Sequence, residues 1–521
     1  MSMVKNAVGR MVPTEVPGLG SFVPFKGEKA LLTGSPRHIA SIDRDSVALG
    51  SDKLAPDLRT AIERSGLRSG MTVSFHHHLR NGDKVMELVL REAEAMGIKD
   101  LTLAPSSLTS AHDFVAEMIR KGVVTRLYTS GLRGEVGKAV SRGELEIPVV
   151  IRSHGGRARA IEEGSIHIDV AFLAASACDR MGNMTGTSGP SAFGAMGYAM
   201  EDARYAKHVV ALTDNLVDFP LTPHISVPQY LVNQVVKVDS IGDPEKLATG
   251  AVRITKSPVQ LRIARLAYEL IKASGSITPG FSFQAGGGGM SIAVTQFLKK
   301  YMIDKEIKGG FALGGISKYM SDLLESGLFD ALFDVQSFDP AMGASILRNP
   351  AHYEIDPSWY ANPVNRGCMT HKLDVVVLGA LDIDTGFNVN VMTGHDGVLR
   401  GASGGHCDTA AGAQLSIIVA PSFRKGVPTV RARTQTIVTP GESVDAFVCE
   451  RGICINPARP ELLEAAVKAG LPVRDIDELR GEIEHLTGIP EPVEFDENHP
   501  VALVEYRDGS LIDVVYRVRG L

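Results

Sequence analysis

The chain has 521 residues, of which 44% are hydrophobic, so it is long enough to fill at least two hydrophobic cores. Its 54 basic and 60 acidic residues are mixed along the sequence and give a formal net charge of -6, which offers no basic surface for nucleic acid or an anionic membrane. The five cysteines form no CxxC pair, which predicts free thiols and a cytoplasmic location. We expect neither a signal peptide nor a membrane span, because no apolar segment approaches the roughly 20 residues that a span needs.

The predicted elements follow an N-terminal arm, residues 1–55, which is rich in Pro, Gly and Ser and shows no periodicity. A helix is predicted over residues 56–65 and a strand over residues 71–75. A polar loop with three consecutive histidines then leads to a helix that Asp83 can cap, and the next strand begins at Leu101. This order of strand, loop, helix and strand predicts an α/β fold with mostly parallel sheets.

An internal repeat is the most informative organisational feature. Segment 169–179 is an apolar strand between two aspartates, and segment 374–384 has the same frame, at an offset of 374 minus 169, or 205 residues. A second pair of strand ends, Phe75 and Phe283, lies 208 residues apart. Two co-linear matches favour a duplicated α/β domain over a chance alignment of apolar strands. We therefore predict two tandem domains, over residues 56–250 and 251–521.

A linked set of motifs carries a resemblance to a known family. Segments 378–388 and 401–408 resemble the second half of the family I CoA transferases, which place a Gly-Gly dipeptide and an Asp near the thioester. From about residue 55 to its end, the chain is still more similar to the citrate lyase alpha subunits. The motifs that carry this likeness are residues 74–77 with Arg80, 128–134, 153–157, 334–339, 373–408 and 456–460.

The resemblance implies two CoA-transferase-like (NagB/RpiA-type) domains and an acyl-exchange activity. Such a subunit replaces the acetyl group of an acetyl-[acyl-carrier protein] thioester by citrate, which gives citryl-ACP and acetate, and the complex then forms oxaloacetate. The implied partners are a lyase (beta) subunit and an acyl-carrier (gamma) subunit in one oligomer. No cofactor would be bound covalently to this chain, which would act on acetyl-CoA or on the phosphoribosyl-dephospho-CoA group of the carrier subunit.

One departure from the family I transferases bears on the mechanism. Those enzymes use a glutamate that becomes a glutamyl thioester, whereas the matching stretch here, residues 311–316, reads Phe-Ala-Leu-Gly-Gly-Ile. Carboxyl groups titrate near ~4, so a carboxylate of citrate is ionised at neutral pH and can itself attack the thioester. We therefore predict a mixed anhydride without a glutamyl-enzyme intermediate.

Glycine-rich loops are the predicted contacts for the reacting thioester, because glycine exposes its amide group without a side chain. The alternative is that the four-glycine run is only a tight strand-to-helix turn. The predicted catalytic set is Gly404, Gly405 and His406, and the predicted thioester or CoA contacts are Gly286, Gly287, Gly288, Gly289, Asn183 and Asn388.

Arginines and histidines in loops beside predicted strands are the candidate substrate contacts. A guanidinium can hold a carboxylate through two parallel hydrogen bonds, although each arginine could equally be a solvated surface residue. The three-histidine run has no Cys, Asp or Glu at ligand spacing, so we predict no metal site. For the histidines the alternatives are polar packing or a satisfied core position. The predicted substrate-binding set is His76, His77, Arg80, Ser130, Arg133, His154 and Arg157.

Two other functions stay open at this stage. Citramalate is a close rival of citrate as the substrate. A non-catalytic sensor of CoA esters is also compatible with the fold, because a fold alone does not determine function.

Overall fold

The computed structural model describes residues 2–28, 39–41, 44–47, 51–247 and 254–521. Two large sheets dominate these residues, and we number their strands in chain order. The strands are β1 Leu54–Ala55, β2 Thr72–Ser74, β3 Leu101–Leu103, β4 Val124–Thr129, β5 Val149–Ile151, β6 Val170–Ala175, β7 His208–Thr213, β8 Gln234–Lys237, β9 Ser282–Ala285, β10 Gly309–Ile316, β11 Phe329–Ser337, β12 His352–Glu354, β13 Val375–Gly379, β14 Leu415–Val419, β15 Ala446–Cys449, β16 Gly452–Ile455, β17 Phe495–Glu505 and β18 Leu511–Val518.

The two sheets share one order of parallel strands. Within the described residues, the first sheet runs β18-β17-β5-β4-β3-β2-β6-β7-β8-β1 and the second runs β12-β11-β10-β9-β13-β14-β15-β16. The stretch from β5 to β8 in the first sheet matches the stretch from β12 to β15 in the second, and every pairing within both stretches is parallel. The predicted α/β class with mostly parallel sheets is confirmed. The duplication remains an interpretation of the matching strand order.

Helices connect the parallel strands, because a parallel pair needs a crossover connection. The first helix begins after Asp57, whose carboxylate accepts the backbone N–H of Thr60 at 2.7 Å, and ends at Gly66 in the left-handed conformation. Across the described ranges, no helix is both long and apolar enough to span a bilayer. The helices are α1 Leu58–Ser65, α2 Val85–Ala95, α3 Val115–Arg120, α4 Gly134–Ser141, α5 His154–Glu162, α6 Gly197–Tyr205, α7 Pro258–Ala273, α8 Gly289–Lys305, α9 Lys318–Glu325, α10 Ala341–Arg348, α11 Pro357–Ala361, α12 His406–Gly412, α13 Pro460–Lys468 and α14 Ile476–Thr487.

The repeated Asp/Asn segments form equivalent turns after β6 and β13. Asp179 accepts the backbone N–H of Asn183 at 3.1 Å and its side-chain amide at 2.7 Å. Asp384 accepts the same two groups of Asn388, at 3.0 and 3.1 Å. In each turn the Asn side-chain oxygen accepts a backbone N–H from a following loop at 2.9 Å. Both asparagines therefore have their hydrogen-bonding groups engaged inside a structural turn.

Each large sheet has its own hydrophobic core. The core of the first sheet includes Phe75 and Phe172, whose rings stack with centroids 5.8 Å apart. The core of the second sheet includes Phe281 and Phe329, with centroids 5.5 Å apart. Burial of a side chain of this size contributes about 1.5–3 kcal/mol. The chain thus fills two main cores, as its length and composition predict.

The chain ends join the first sheet. Strands β17 and β18 form a C-terminal hairpin, and β17 pairs with β5, so residues assigned by sequence to the second domain complete the first sheet. In the predicted arm, Val12 and Val16 pack against this hairpin, and β1 is an edge strand. Residues 29–38, 42–43 and 48–50 of the arm, and the predicted domain boundary at 250/251, lie outside the described residues.

Candidate functional site

A cavity of about 270 Å³ lies where the carboxyl ends of strands from both sheets meet. The loops after β2, β3, β4 and β5 form one wall, and the end of β10 with the loops after β9, β11 and β13 forms the other. Ligands of open parallel sheets bind at this edge. The predicted site residues that line the cavity are His77, Arg80, Ser130, Arg133, His154, Gly286, Gly287, Gly404, Gly405 and His406. The predicted residues outside its lining are His76, Arg157, Asn183, Gly288, Gly289 and Asn388.

The loop before α12 joins the two walls of the cavity. The backbone N–H of Ser403 donates to the carbonyl of Ser130 at 2.8 Å, and that of His154 donates to the carbonyl of Gly404 at 2.7 Å. Gly131 lies so close to this loop that a Cβ there would be 2.3 Å from one of its side-chain carbons. The Gly-Gly loop of the second half is therefore fixed by the first half.

Arg80 and Arg133 make the cavity attractive to anions. The Arg80 guanidinium stacks over the ring of Phe338 at 4.6 Å, and among the described residues its Nη1 has no hydrogen-bond partner. Burial, and then the nearby charge of Arg133, lower the pKa of Arg80 to about 10. Burial also lowers the pKa of Arg133. Since no described lining residue is acidic, the cavity carries two guanidinium groups without a carboxylate to balance them.

Arg157 has a structural environment outside this cavity. Its guanidinium pairs with Asp202 at 2.8 Å and donates to the Ser74 hydroxyl and the Ala104 carbonyl, both at 2.9 Å. These bonds tie α5 and α6 to the ends of β2 and β3. Both terminal nitrogens of the guanidinium are therefore occupied by protein groups.

Two neutral histidines and a tyrosine form one corner of the cavity. The rings of His77 and His154 stack with centroids 5.8 Å apart, and each lies about 5 Å from the ring of Tyr198, at 5.1 and 4.7 Å. Burial lowers the pKa of His77 well below its ordinary value and that of His154 to about 3. His76 lies behind them, where its Nε2 accepts the backbone N–H of Ala174 at 2.9 Å. The described residues contain no group of three or more potential ligands arranged for a metal ion.

His406 has both ring nitrogens engaged. Its Nε2 donates to the carbonyl of Gly379 at 2.9 Å, so its Nδ1 accepts from the Thr439 hydroxyl at 2.7 Å. Burial lowers its pKa to about 4. His406 therefore matches the alternative left open from sequence, a core histidine whose hydrogen bonds are satisfied. These hydrogen bonds fix the start of α12 directly after the Gly-Gly loop.

The Gly-Gly loop contributes two glycines to the lining of the cavity. Gly404 has a φ of 53°, and a Cβ at Gly405 would lie 2.4 Å from the Tyr360 hydroxyl oxygen, so neither position suits an L side chain. Among the described residues, the N–H groups of Gly404 and Gly405 have no protein acceptor. The amide of Gly286, by contrast, donates to the Val377 carbonyl at 2.8 Å and continues the pairing of β9 with β13.

The segment that lacks the family I glutamate borders the cavity as strand β10. Gly315 lines the cavity, and a Cβ there would lie 2.2 Å from two carbons of the Phe338 ring. The ring therefore fills the space in which a side chain at this position would sit. No carboxylate reaches the cavity from this strand.

Several polar lining residues were missed by sequence reasoning. Gln284 donates to the Tyr360 hydroxyl at 3.0 Å, and Gln336 donates to the carbonyl of His77 at 3.0 Å. Gln336 falls inside the 334–339 motif and could have been found from it, whereas Tyr198 lies in an ordinary helix and gave no signal. The missed lining residues with polar side chains are Ser107, Thr109, Tyr198, Gln284, Gln336, Tyr360 and Ser403.

Comparisons with known proteins agree with this architecture. The citrate lyase alpha chain of Escherichia coli K12 is 52% identical over 467 residues, which cover 90% of this chain and 91% of that one. A citrate lyase alpha-subunit structure from Streptococcus mutans, in complex with citrate, has a TM-score of 0.94 at 48% identity and covers 98% of this chain and 99% of that one. A Pseudomonas malonate decarboxylase chain, 17% identical over 85% of this chain and 95% of its own, shares the fold with a TM-score of 0.62.

The sequence model of one family, described as citrate lyase, alpha subunit, matches residues 51–518. This match confirms the resemblance seen in the motifs. Relatives with about 50% sequence identity align with most of the chain. The chain therefore belongs to the citrate lyase alpha-subunit family, the CoA-transferase-type, acyl-transferring subunits of that enzyme.

Proposed function

We propose that this chain replaces the acetyl group of an acetyl-[acyl-carrier protein] thioester by citrate, through a mixed anhydride and without a glutamyl-enzyme intermediate. The observation that carries the proposal is the cavity between the two halves, which has two unbalanced arginines and no acidic lining residue among those described. Such a cavity favours a polyanionic substrate and offers no carboxylate nucleophile.

The arginines would hold citrate. Arg80 and Arg133 lie in the same cavity, and the low pKa of Arg80 follows partly from its neighbour. The positive charges of these two arginines repel each other. A substrate carboxylate would offset this repulsion and pair with the free Nη1 of Arg80. The complex of the Streptococcus mutans relative with citrate supports this choice of ligand.

The proposed reaction consists of two acyl transfers that balance without a protein base. A carboxylate oxygen of citrate attacks the acetyl carbonyl carbon, the C–S bond breaks, and the carrier sulfur leaves as a thiolate with the electron pair. The thiolate then attacks the citryl carbonyl of the anhydride. The bond between the citryl carbonyl carbon and the bridging oxygen breaks, and acetate leaves with that oxygen and the electron pair.

Backbone amides would stabilise the two tetrahedral oxyanions. The N–H groups of Gly404 and Gly405 are free of protein acceptors among the described residues, and their loop is fixed by hydrogen bonds to both halves. Loss of one such donor typically costs ~3 kcal/mol of transition-state stabilisation. We propose these two amides, rather than the engaged imidazole of His406, as the direct catalytic groups.

The expected partners are a lyase subunit and an acyl-carrier subunit with a CoA-derived prosthetic group, in an oligomer. Membership of the citrate lyase alpha-subunit family supports this assignment. We propose a cytoplasmic location, which agrees with five buried cysteines that form no disulfide.

An exchange assay tests the proposed function. The purified chain is incubated with acetyl-CoA as a carrier surrogate and with citrate or citramalate, and the new thioester and free acetate are identified by mass spectrometry. We expect citryl-CoA and acetate in equal amounts. If only citramalate supports exchange, then citramalate and not citrate is the substrate. The absence of exchange with both acids would overturn the transferase proposal.

Borohydride treatment tests whether a glutamyl-enzyme intermediate forms. Borohydride reduces a protein glutamyl thioester to an alcohol, which changes the mass of a peptide. We expect no modified peptide after incubation with acetyl-CoA, whereas a reduced glutamate would contradict direct exchange.

A further inference from the structure

Ser106 lies in the loop after β3, directly behind the cavity, and its side chain is fully buried. Its hydroxyl oxygen accepts the backbone N–H of His77 at 3.1 Å. The same oxygen lies 2.7 Å from Nδ1 of the His77 ring. One hydroxyl group thus contacts both the backbone and the ring of a residue that lines the cavity.

These two contacts determine which nitrogen of His77 carries the proton. The Ser106 oxygen already accepts one hydrogen bond, and its own hydrogen has Nδ1 as its acceptor. If Nδ1 were protonated instead, the buried hydroxyl hydrogen would have no acceptor among the described residues, and buried donors of this kind are rarely left unpaired. Nδ1 is therefore the acceptor, and the proton resides on Nε2.

Further contacts to its backbone and ring hold His77 in place. Its carbonyl accepts the side-chain amide of Gln336 at 3.0 Å, and its ring stacks on Tyr198. Nε2 of His77 has no protein partner among the described residues, and the residue lines the cavity. The N–H on this nitrogen is the unsatisfied donor of the His77 side chain.

We infer that Ser106 is a positioning residue that fixes His77 as a neutral Nε2–H donor to an oxygen of the bound reactants. The oxygen is either a citrate carboxylate oxygen or the oxyanion of a tetrahedral intermediate, which share the chemistry of a hydrogen-bond acceptor. This inference rests on the proposed acyl exchange. Because burial keeps the ring neutral, the donor persists at neutral pH without adding a positive charge.

The tautomer can be observed directly in the unmodified protein. Ring nitrogen chemical shifts of protein labelled with ¹⁵N-histidine distinguish the two neutral tautomers, and the His77 signals are assigned by their loss in His77→Asn. We expect the Nε2–H tautomer with and without citrate. A His77 ring protonated on Nδ1 would overturn the inference, whether or not the protein catalyses exchange.

Variants of Ser106 test the consequence for exchange. Ser106→Ala removes the hydroxyl, and Ser106→Thr keeps it. We expect kcat for acyl exchange to fall at least tenfold in Ser106→Ala, with KM for acetyl-CoA within twofold, and Ser106→Thr to recover most of the rate. An unchanged kcat in a folded Ser106→Ala would contradict the inference. Absence of exchange in the unmodified protein would instead refute the proposed function and leave the tautomer result intact.

Discussion

Arg80 shows how a single residue is prepared for an anion before any ligand arrives. Its backbone has a φ of 51°, a conformation that costs free energy for a non-glycine residue, and its guanidinium lies over Phe338. Strain of this kind persists where the surroundings hold it, often at a binding site. The side chain therefore enters the cavity in a fixed direction, with Nη1 unpaired.

Replacement of Arg80 by lysine should raise KM for citrate at least tenfold. Lysine keeps the charge but loses the planar pair of donors and the stacking on Phe338. KM for acetyl-CoA should change little. The matched control is Arg59→Lys, the same substitution at an exposed position of α1. An unaltered KM for citrate in Arg80→Lys would show that this guanidinium does not hold the substrate.

The buried neutral histidines should make the protein less stable in acid. The pKa of His406 is lowered to about 4 in the folded state, against about 6.5 when unfolded, so between these values the unfolded chain binds more protons. Stability then falls as the pH drops through this window, by about 2 kcal/mol at pH 5 for this residue. Asp408, with its pKa raised to about 6, opposes part of the loss because its protonated form is favoured on folding.

His406→Gln isolates this contribution. A glutamine can still donate to Gly379 and accept from Thr439, but it does not titrate. Urea denaturation at pH 7.5 and at pH 5 measures how much of the free energy of unfolding is lost between these pH values. This loss should be about 2 kcal/mol smaller in His406→Gln than in the unmodified protein. An equal loss in both proteins would mean that His406 titrates normally.

Sequence reasoning located the charged residues of the site better than it judged their availability. Arg80 and Arg157 gave the same local signal, a loop arginine beside a strand and a glycine. Only the folded chain distinguishes them, because Asp202 is distant in sequence and occupies the guanidinium of Arg157. Tyr198 was missed because an aromatic residue in a helix resembles ordinary core.

Among the secondary structure elements, the turn between β17 and β18 connects the first sheet to the base of the Gly-Gly loop. Arg507 in this turn lies 3.7 Å from Asp408 of α12 and donates to His371 at 3.0 Å. Asp408 in turn accepts from the Ser153 hydroxyl at 2.8 Å and from the Gly155 amide at 2.9 Å, at the start of α5. The hairpin, α12 and α5 therefore meet at one buried carboxylate.

Loss of Arg507 should destabilise this junction. Arg507→Met leaves Asp408 buried without its cation, which we expect to lower the free energy of unfolding by about 3 kcal/mol. The double variant with Asp408→Asn should lose less than the sum of the single variants. Arg519→Met, at an exposed arginine near the end of the chain, is the control. Additive effects in denaturation experiments would contradict the coupling.

Local patterns predicted individual elements more reliably than their partners. The helix predicted over residues 56–65 is present as α1, between the cap at Asp57 and the left-handed Gly66. The C-terminal hairpin has a local signal of the same kind, turn residues between two apolar strands. Its neighbour β5 lies some 350 residues earlier, and no local pattern encodes that pairing. Residues assigned to the second domain from sequence therefore contribute two strands to the first sheet.

In the whole molecule, two halves with one strand order face each other across the cavity. The offset of 205 residues between Asp169 and Asp374 revealed this likeness from sequence, and both aspartates cap the strand beside them by accepting a backbone N–H, at 2.8 and 2.7 Å. Charged residues come from the first half, whereas the free glycine amides come from the second. The site therefore depends on the contact between the halves.

Direct attack by citrate on the thioester is the central claim, and oxygen labelling tests it in a single turnover. With citrate carrying ¹⁸O in its carboxylates, the bridging oxygen of the anhydride comes from citrate and leaves with the acetyl group. We therefore predict acetate that contains one ¹⁸O atom, measured by mass spectrometry. Unlabelled acetate, formed together with citryl thioester, would contradict this account, because its oxygen would then have come from a carboxylate of the protein.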